Sequence, residues 1–324
     1  MKKTRFISLL ALPFMLGGLT GCGQNNGFKV GVCQLLAHDA LDAATQGFVD
    51  TLKAEFGDNI TIDVQEAAGD SATCNTIVNT FVSKNVDLIM ANATPALQAA
   101  ANSTTNIPVL GTSVTDYGSA LGIKDFDGTT GYNVSGTSDL VSIEEQVDLF
   151  KEVFPTASKV GILYCSAESN SVYQADEVTK LFTKEGITST RHTFSNSNDI
   201  SAVVEAAIAS GIDAFYIPTD NVAADNAGII DAKCRTGARK VPVFAAEEGL
   251  CEKCGAFTLS LSYYKLGEKT GQMAIDILKN KADITKMPVE HFKSEEYTRK
   301  YNEEICTDLG LNVPEGFVKI EKKA

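Results

Sequence analysis

The feature that most constrains the fold of this chain is a motif that occurs twice. The stretches VDLIMANATP (86–95) and IDAFYIPTDN (212–221) each place an Asp before a short apolar run and a helix-capping residue after it. FKVGVCQ (28–34) pairs with SKVGILY (158–164), and NIPVLGTSV (106–114) pairs with KVPVFAAEE (240–248), at offsets of 130 and 134 residues beside 126 for the first pair. The pattern indicates two halves of like architecture. The alternative is that buried parallel strands, all rich in Val, Ile and Leu, resemble one another.

Apolar runs alternate with helical patterns in both halves, which predicts repeated βαβ units and therefore an α/β fold with parallel sheets. In the segment 40–57, for example, Leu41, Ala44, Phe48 and Leu52 share one helical face. We predict strands at 28–36, 60–67, 86–92, 108–114, 159–165, 188–194, 213–218, 241–246 and 255–263. We predict helices at 40–57, 72–84, 95–104, 171–185, 199–210, 221–236 and 265–280. The 324 residues, 44% of them hydrophobic, are enough for two domains with separate cores.

The N-terminal segment is typical of an export signal. Lys2, Lys3 and Arg5 precede an apolar run from Phe6 to Leu19 that is too short and too rich in glycine for a membrane span. The run ends in LTGC (19–22), which resembles the bacterial lipobox. We therefore expect a signal peptide at 1–21, lipid attachment at Cys22 and a polar tether at 22–27. The alternative is a free cysteine at the end of an ordinary signal.

The charge balance limits the possible partners. The formal net charge of −13 becomes −16 once the three basic residues of the signal are removed, so nucleic acid is not an expected partner. After the signal, no segment approaches about 18 consecutive apolar residues. We therefore expect an exported protein that is held at the membrane surface through its N-terminus.

The seven cysteines after Cys22 do not form the even framework of a disulfide-stapled domain. Cys251 and Cys254, in the sequence CEKC, are compatible with a local disulfide, with two thiols in a loop, or with a redox pair. A second CxxC is absent from the sequence, which disfavours a zinc site. No metal and no cofactor are expected.

The strand ends suggest a binding cleft, because ligands of parallel α/β sheets bind beyond the carboxyl ends of the strands, near helix N-termini. Thr94 is a candidate N-cap with Pro95 as the first helical residue, which would leave backbone N–H groups for a carboxylate. Asp220 holds the equivalent position in the second half and would attract a cation. Simple capping by both residues is the alternative, and Ser171 and Gln174 also form a possible capping box. The candidate ligand-binding residues are Gln34, Asp70, Asn92, Thr94, Thr112 and Ser113 in the first half and Ser166, Asn170, Ser171, Asp220, Asn221 and Glu247 in the second.

Taken together, LTGC, ALDAATQGF, ANATPALQAA, GTSDLVSIEEQVDLF, KVGILYCSAESNS and IPTDN resemble the substrate-binding lipoproteins of the ABC-transporter group that includes tryptophan- and tyrosine-binding members. The resemblance covers about residues 28–290. It implies a type I periplasmic-binding-protein fold, with two Rossmann-like lobes joined by a hinge and a ligand held between them. It also implies chain crossings near 133–138, 247–257 and 288–293. Lobe 1 would then comprise 28–135 and 258–288, and lobe 2 would comprise 136–257 and 289–324.

The function that this resemblance implies is capture of a small solute for an ABC importer, with a permease and an ATPase as partners and a monomer as the expected state. Opposed sites for an anion and a cation suit an α-amino acid, and the resemblance favours an aromatic one. Leu35 and Leu36 after Gln34, the extra cysteines and the charged tail EEYTRKYNEEICTDLG depart from the family pattern. A signalling sensor and a binder of another polar solute remain alternatives. An enzyme is disfavoured, because the three histidines lie in unrelated contexts and no G-x-S-x-G, P-loop or metal motif occurs.

Overall fold

The computed structural model describes residues 27–237 and 239–321. The predicted signal peptide, Cys22 and all but the last residue of the predicted tether lie outside the described residues. In the part of the chain that is described, no helix is both long enough and apolar enough to cross a membrane.

Lobe 1 is built from alternating strands and helices around a parallel five-stranded sheet. Its elements are β1 (Phe28–Gln34), α1 (Asp39–Phe56), β2 (Ile60–Glu66), α2 (Ser71–Ser83), β3 (Leu88–Asn92), α3 (Thr94–Ser103), β4 (Val109–Val114), α4 (Tyr117–Leu121) and β5 (Val134–Ser138). The strand order is β2-β1-β3-β4-β5, and every pairing is parallel. β1, β3, β4 and β5 are almost fully buried because helices cover both faces of the sheet. The apolar runs of β1, β3 and β4 predict this burial, whereas β5, with the sequence VSGTS, carries no such run.

Lobe 2 repeats this arrangement. Its elements are α5 (Ile143–Val153), β6 (Lys159–Cys165), α6 (Ser169–Lys184), β7 (Thr188–Phe194), α7 (Ile200–Ala209), β8 (Ala214–Ile217), α8 (Asn221–Asp225), α9 (Ala227–Thr236), β9 (Val243–Ala245), α10 (Glu248–Lys253) and β10 (Phe257–Ser260). The order β7-β6-β8-β9-β10 is the order of lobe 1 again. The predicted duplication and the two-lobed α/β fold are therefore confirmed.

The remaining elements tie the two lobes together. α11 (Tyr263–Leu278) returns to lobe 1 and packs along α1, whereas β11 (Thr298–Tyr301), α12 (Glu303–Leu309) and β12 (Val318–Lys319) extend the second sheet, β11 pairing antiparallel with β10. The first and third crossings run side by side, since Thr137 and Glu290 form a parallel bridge. β10 belongs to the second sheet, so the crossing that we expected near 247–257 lies after Ser260, and the predicted lobe boundary at 258 falls inside this strand.

Several predicted boundaries differ from the structure for local reasons. The first strand ends at Gln34 rather than residue 36, because the Gln34 side chain donates to the Leu36 carbonyl and fixes a turn there. The single helix predicted over 221–236 is two helices, α8 and α9, that meet at Asn226, whose side chain donates to the carbonyl of Val222. The CEKC cysteines lie not in a loop but in and directly after α10, as buried free thiols. The other five cysteines of the described chain are likewise buried and unpaired by disulfides.

Two capping predictions are wrong. The N-cap of α3 is Ala93, with a φ of +87°, and Thr94 is already helical, because Ala93 still donates its N–H to Thr112 of the neighbouring strand. Helix α6 begins at Ser169, two residues before the predicted start. Ser171 therefore lies inside the first turn, and its hydroxyl donates to Asp220 instead of capping the helix.

Candidate functional site

A small cavity lies between the lobes, beyond the carboxyl ends of the strands, where sheets of this topology bind ligands. Its wall combines residues from the loop before α1, from the end of β4, from the hinge, and from the helix starts of lobe 2. The lining residues are His38, Ala40, Leu41, Ser113, Asp139, Asn170, Thr219, Asp220, Asn221, Ala224, Glu247 and Tyr263. The wall thus contains three carboxyl groups. None of these described lining residues is a lysine or an arginine.

Asp220 occupies the N-cap of α8, as the sequence predicts for this position. Its Oδ1 accepts from the Ala223 N–H at 2.8 Å, and its Oδ2 accepts from the Cys165 N–H and the Ser171 hydroxyl, both at 2.7 Å. The Val222 N–H, which donates to Glu168, also favours the charged form of Asp220. Burial raises the pKa of Asp220, and these hydrogen bonds oppose that rise. Asp220 therefore holds the start of α8 against β6 and α6.

Glu168 stabilises the same part of the cavity wall through hydrogen bonds. Its Oε2 accepts from the backbone and side-chain N–H groups of Asn221, at 3.1 and 2.6 Å, and its Oε1 accepts from the Val222 N–H at 2.9 Å. Burial, together with the nearby Asp220, raises the pKa of Glu168 to about 8. The acid thereby fixes Asn221 at the cavity wall.

Two buried polar atoms of the wall have no hydrogen-bond partner among the described residues. One is the hydroxyl of Ser113, and the other is the side-chain carbonyl oxygen of Asn170. Ser113 also has a φ of +52°, a conformation that is unfavourable for a residue with a Cβ. Buried polar groups are normally satisfied, so these two atoms mark the cavity as a place for a polar ligand.

The other two acids of the wall sit at the hinge side of the cavity. Glu247 caps the short helix α10 and accepts from the N–H groups of Gly249 and Leu250. Asp139, directly after β5, accepts from the hydroxyls of Tyr263 at 2.8 Å and Thr115 at 3.1 Å. Burial raises the pKa of Glu247 to about 7, and it also raises the pKa of Asp139.

The lobes are closed on each other in this structure. His38 of lobe 1 hydrogen-bonds Asn221 of lobe 2 at 3.1 Å, Thr115 meets Thr219 at 3.2 Å, and at the rim Lys253 pairs with Asp39 at 2.8 Å. Burial lowers the pKa of His38, so its contact across the cleft is that of a neutral imidazole. The enclosed volume is about 20 Å³, near what a single water molecule needs. Entry of a larger ligand therefore requires the lobes to separate.

The structure brings five of the twelve predicted residues to this cavity: Ser113, Asn170, Asp220, Asn221 and Glu247. The other seven lie elsewhere. Four of them are buried near the cavity without lining it: Asn92, Thr94, Thr112 and Ser171. Gln34 forms hydrogen bonds with Asp42 and Thr45 of α1. Asp70 is the exposed N-cap of α2, and Ser166 is exposed.

The sequence did not indicate Asp139, Tyr263, Thr219 or His38 as site residues. Asp139 and Thr219 each follow a strand closely, so the rule that selected the other candidates was capable of finding them. Tyr263 and His38 carried no such signal. They reach the cavity only because α11 returns to lobe 1 and because the two lobes meet.

The chain belongs to the family of ABC transporter substrate-binding proteins, whose family model matches residues 29–324. The family is a class of solute-binding proteins rather than of enzymes. The chain is 35% identical over 302 residues to a tyrosine-binding protein of Clostridioides difficile (strain R20291), an alignment that covers 87% of this chain and 86% of that one.

Solved structures give the same family and add information on the arrangement of the lobes. A domain from Streptococcus pneumoniae in complex with L-Trp is 30% identical, with 91% of this chain and all of that chain covered and a TM-score of 0.83. A ligand-free, open substrate-binding protein from Clostridium difficile is 37% identical, with the same coverage and a TM-score of 0.69. The more identical relative is thus the less similar in shape. This is the result expected if the present structure has the closed arrangement.

A more distant neighbour shows the fold alone. The leucine-binding protein LivK of Thermotoga maritima is 14% identical, with 83% of this chain and 85% of that chain covered, and has a TM-score of 0.63. It shares the two-lobed α/β fold, the type I periplasmic-binding-protein fold that the sequence resemblance predicts.

Proposed function

We propose that this chain captures an aromatic α-amino acid outside the cytoplasm and delivers it to the permease and ATPase of an ABC importer. The observation that carries this proposal is the interlobe cavity, whose wall combines three carboxyl groups with the unpartnered oxygens of Ser113 and Asn170. Carboxyl groups suit an ammonium group, whereas the unpartnered Ser113 hydroxyl at the end of a lobe 1 strand suits a carboxylate. The relatives that bind tyrosine and L-Trp favour an aromatic side chain.

A thermal-melt screen of the twenty amino acids, with sugars and nucleosides as controls, tests the ligand class. A ligand at about 100 times its dissociation constant adds about 2.7 kcal/mol to the free energy of unfolding, so the melting temperature rises measurably. We expect L-tyrosine or L-tryptophan to give the largest rise. Because the sequence contains no Trp, the binding of L-tryptophan can be confirmed through its own fluorescence. Stabilisation by a sugar or a nucleoside, and by no amino acid, would refute the proposal.

We further propose that Cys22 carries the lipid that anchors the protein at the membrane. Support comes from LTGC at 19–22 and from the polar residues that follow it. The wild-type protein should fractionate with membranes, and Cys22→Ser should move it to the soluble fraction. Wild-type protein in the soluble fraction would contradict anchoring. A sensor for a signalling partner is the alternative role, and co-purification with a permease or with a sensor protein distinguishes the two.

A further inference from the structure

The three carboxyl groups of the cavity wall differ in the groups that offset the cost of burying their charge. A buried carboxylate is costly unless a cation or several hydrogen-bond donors accompany it. The described wall contains no lysine or arginine, and Lys253, outside the wall, lies near Glu247. Asp139 and Asp220 therefore depend on hydrogen-bond donors or on a positively charged group of the ligand. The number and kind of donors therefore show which acid is committed to the protein and which is available to a ligand.

Asp220 and Glu247 are committed to helix starts. Asp220 has three donors, two backbone N–H groups and the Ser171 hydroxyl, which occupy most of the roughly four lone-pair positions of a carboxylate. Glu247 receives two backbone N–H groups at the start of α10, and Lys253 lies close enough to lower its pKa. Both acids thus have a structural role that accounts for their burial.

Asp139 caps no helix, and its donors are of another kind. The residue is 4% exposed, and both of its hydrogen-bond partners are hydroxyls, one from Tyr263 and one from Thr115. A hydroxyl rotates readily and can also accept, so each can yield its place to a stronger donor. The backbone N–H of Asp139 also interacts with its own carboxyl group, which still leaves an acceptor position for a ligand, since a carboxylate has roughly four. Asp139 follows β5 directly, at the first chain crossing, where a ligand would contact both lobes.

We propose that Asp139 is the counter-ion of the ligand's ammonium group, an inference that rests on the proposed capture of an amino acid. The ammonium group brings the positive charge that the described cavity wall lacks. Binding of the ammonium group then explains why an acid is buried at the hinge. In this assignment Asp220, the acid that the sequence motif singled out for the ammonium group, holds the helix start instead.

A pair of ligands that differ only in the amino group tests this inference. L-Tyrosine and 3-(4-hydroxyphenyl)propanoate share the ring, the chain and the carboxylate, and calorimetric titration gives both affinities. Loss of one partner from a buried hydrogen-bonded charge pair weakens binding by about thirtyfold or more. Wild-type protein should therefore bind the propanoate at least about thirtyfold more weakly than L-tyrosine. Discrimination below about threefold would overturn the inference without any variant.

Two matched variants identify the acid. Asp139→Asn should weaken L-tyrosine binding by about thirtyfold or more and reduce the discrimination between the two ligands to within about threefold. Asp220→Asn should preserve that discrimination, even where both affinities fall. If Asp220→Asn abolishes the discrimination and Asp139→Asn preserves it, the assignment is wrong. Equal losses for both ligands in Asp139→Asn would show a structural role only.

Unliganded melting temperatures establish that each variant is folded. If Asp139→Asn does not melt cooperatively, Asp139→Ser takes its place. Tyr263→Phe removes one donor to Asp139 but keeps the carboxyl group, so this variant should still discriminate between the two ligands. If neither L-tyrosine nor L-tryptophan binds wild-type protein, the proposed function fails and this inference fails with it. If L-tyrosine binds but the Asp139 variants discriminate as wild type does, the inference alone fails.

Discussion

Ser113 combines an unfavourable backbone conformation with an unsatisfied side chain. Its φ of +52° costs about 1–2 kcal/mol for a residue with a Cβ, and its buried hydroxyl has no partner in the described structure. Ala93, with a φ of +87°, lies at the end of the neighbouring strand β3. Strain of this kind persists where the surrounding structure enforces it, and it concentrates at binding sites. The lobe 1 side of the cleft is therefore shaped for a ligand at some expense of stability.

Substitutions of Ser113 separate the cost of the backbone strain from the cost of the unpartnered hydroxyl. Ser113→Gly removes both the strain and the buried hydroxyl, so the free energy of unfolding without ligand should stay level or rise by about 1 kcal/mol, after allowance for the flexibility of glycine in the unfolded chain. Ser113→Ala removes only the hydroxyl and serves as the control. Chemical denaturation measures both variants. A loss of more than about 1 kcal/mol in Ser113→Gly would show that the hydroxyl stabilises the unliganded fold.

Glu168 makes folding stability depend on pH. Burial and Asp220 raise its folded pKa to about 8, whereas the unfolded carboxyl titrates near 4.5. Between these values the folded state holds a proton that the unfolded state has lost, so the free energy of unfolding should fall as pH rises from about 4.5 to about 8. One such proton contributes at most about 1.4 kcal/mol per pH unit.

Denaturation of Glu168→Gln across this pH range provides the measurement. The variant should show a shallower decline than wild type, because it cannot ionise. A residual slope from Glu247 and the other buried acids should remain. The exposed Glu185, paired with Lys151, supplies the control, since Glu185→Gln should retain the wild-type decline. An identical slope in wild type and Glu168→Gln would contradict the assigned pKa.

At the level of elements, the sequence predicts which segments are strands and helices more accurately than it predicts where each element begins or to which lobe it belongs. Apolar content identifies β1, β3, β4, β6, β8 and β9 because burial on both faces leaves a continuous apolar run, whereas the edge strands β2 and β7 are largely exposed. The start of α3 was misplaced because it depends on a bond from Ala93 to β4, which is remote in sequence. β10 was assigned to the wrong lobe because its apolar run does not show that Phe257 pairs with Phe244.

The site was predictable to the extent that it follows strand ends. Asp220 and Glu247 could be identified because each follows a strand and begins a helix. The partners of Asp139 could not, since Tyr263 is 124 positions away in the chain. Contacts of that range depend on lobe packing, which no local pattern records.

The packing of α11 on α1 fixes the returning helix to lobe 1, and two glycines make it possible. A Cβ on Gly267 would lie 1.9 Å from the Ala44 carbonyl oxygen, and one on Gly47 would lie 2.1 Å from the Tyr264 carbonyl oxygen. These distances are below any permitted contact with backbone atoms. The two helices must therefore move apart if either glycine gains a side chain.

Gly267→Ala should lower the free energy of unfolding by roughly 1–3 kcal/mol or more, as overpacking generally does. The matched control is Gly228→Ala in α9, where a Cβ would meet nothing within 4 Å. There the better helix propensity of alanine should raise stability by about 0.5–1 kcal/mol. Denaturant unfolding of the two variants compares the same chemical change in two environments. Equal effects would show that close helix contact does not limit this interface.

At the scale of the whole molecule, the closed lobes leave a cavity of only about 20 Å³, so binding of an amino acid requires an open state. The polar contacts that oppose opening include the bonds between His38 and Asn221 and between Thr115 and Thr219, and the Asp39–Lys253 pair at the rim is partly exposed and therefore weak. The two lobes can then interconvert between open and closed forms that a ligand biases by its contacts with both. The lower TM-score with the open relative, despite its higher identity, agrees with two such arrangements in this family.

Small-angle scattering with and without ligand tests this mechanism. L-Tyrosine or L-tryptophan at saturation should reduce the radius of gyration, because contacts on both lobes favour the closed form. His38→Ala removes a neutral cross-cleft hydrogen bond worth about 0.5–1.5 kcal/mol and should shift the unliganded protein toward the open form, which gives a larger radius before ligand is added. Thr236→Ala, on the exposed surface of α9, is the control and should behave as wild type. A radius that stays constant on saturation in wild type and in His38→Ala would show that the lobes do not move as the mechanism requires.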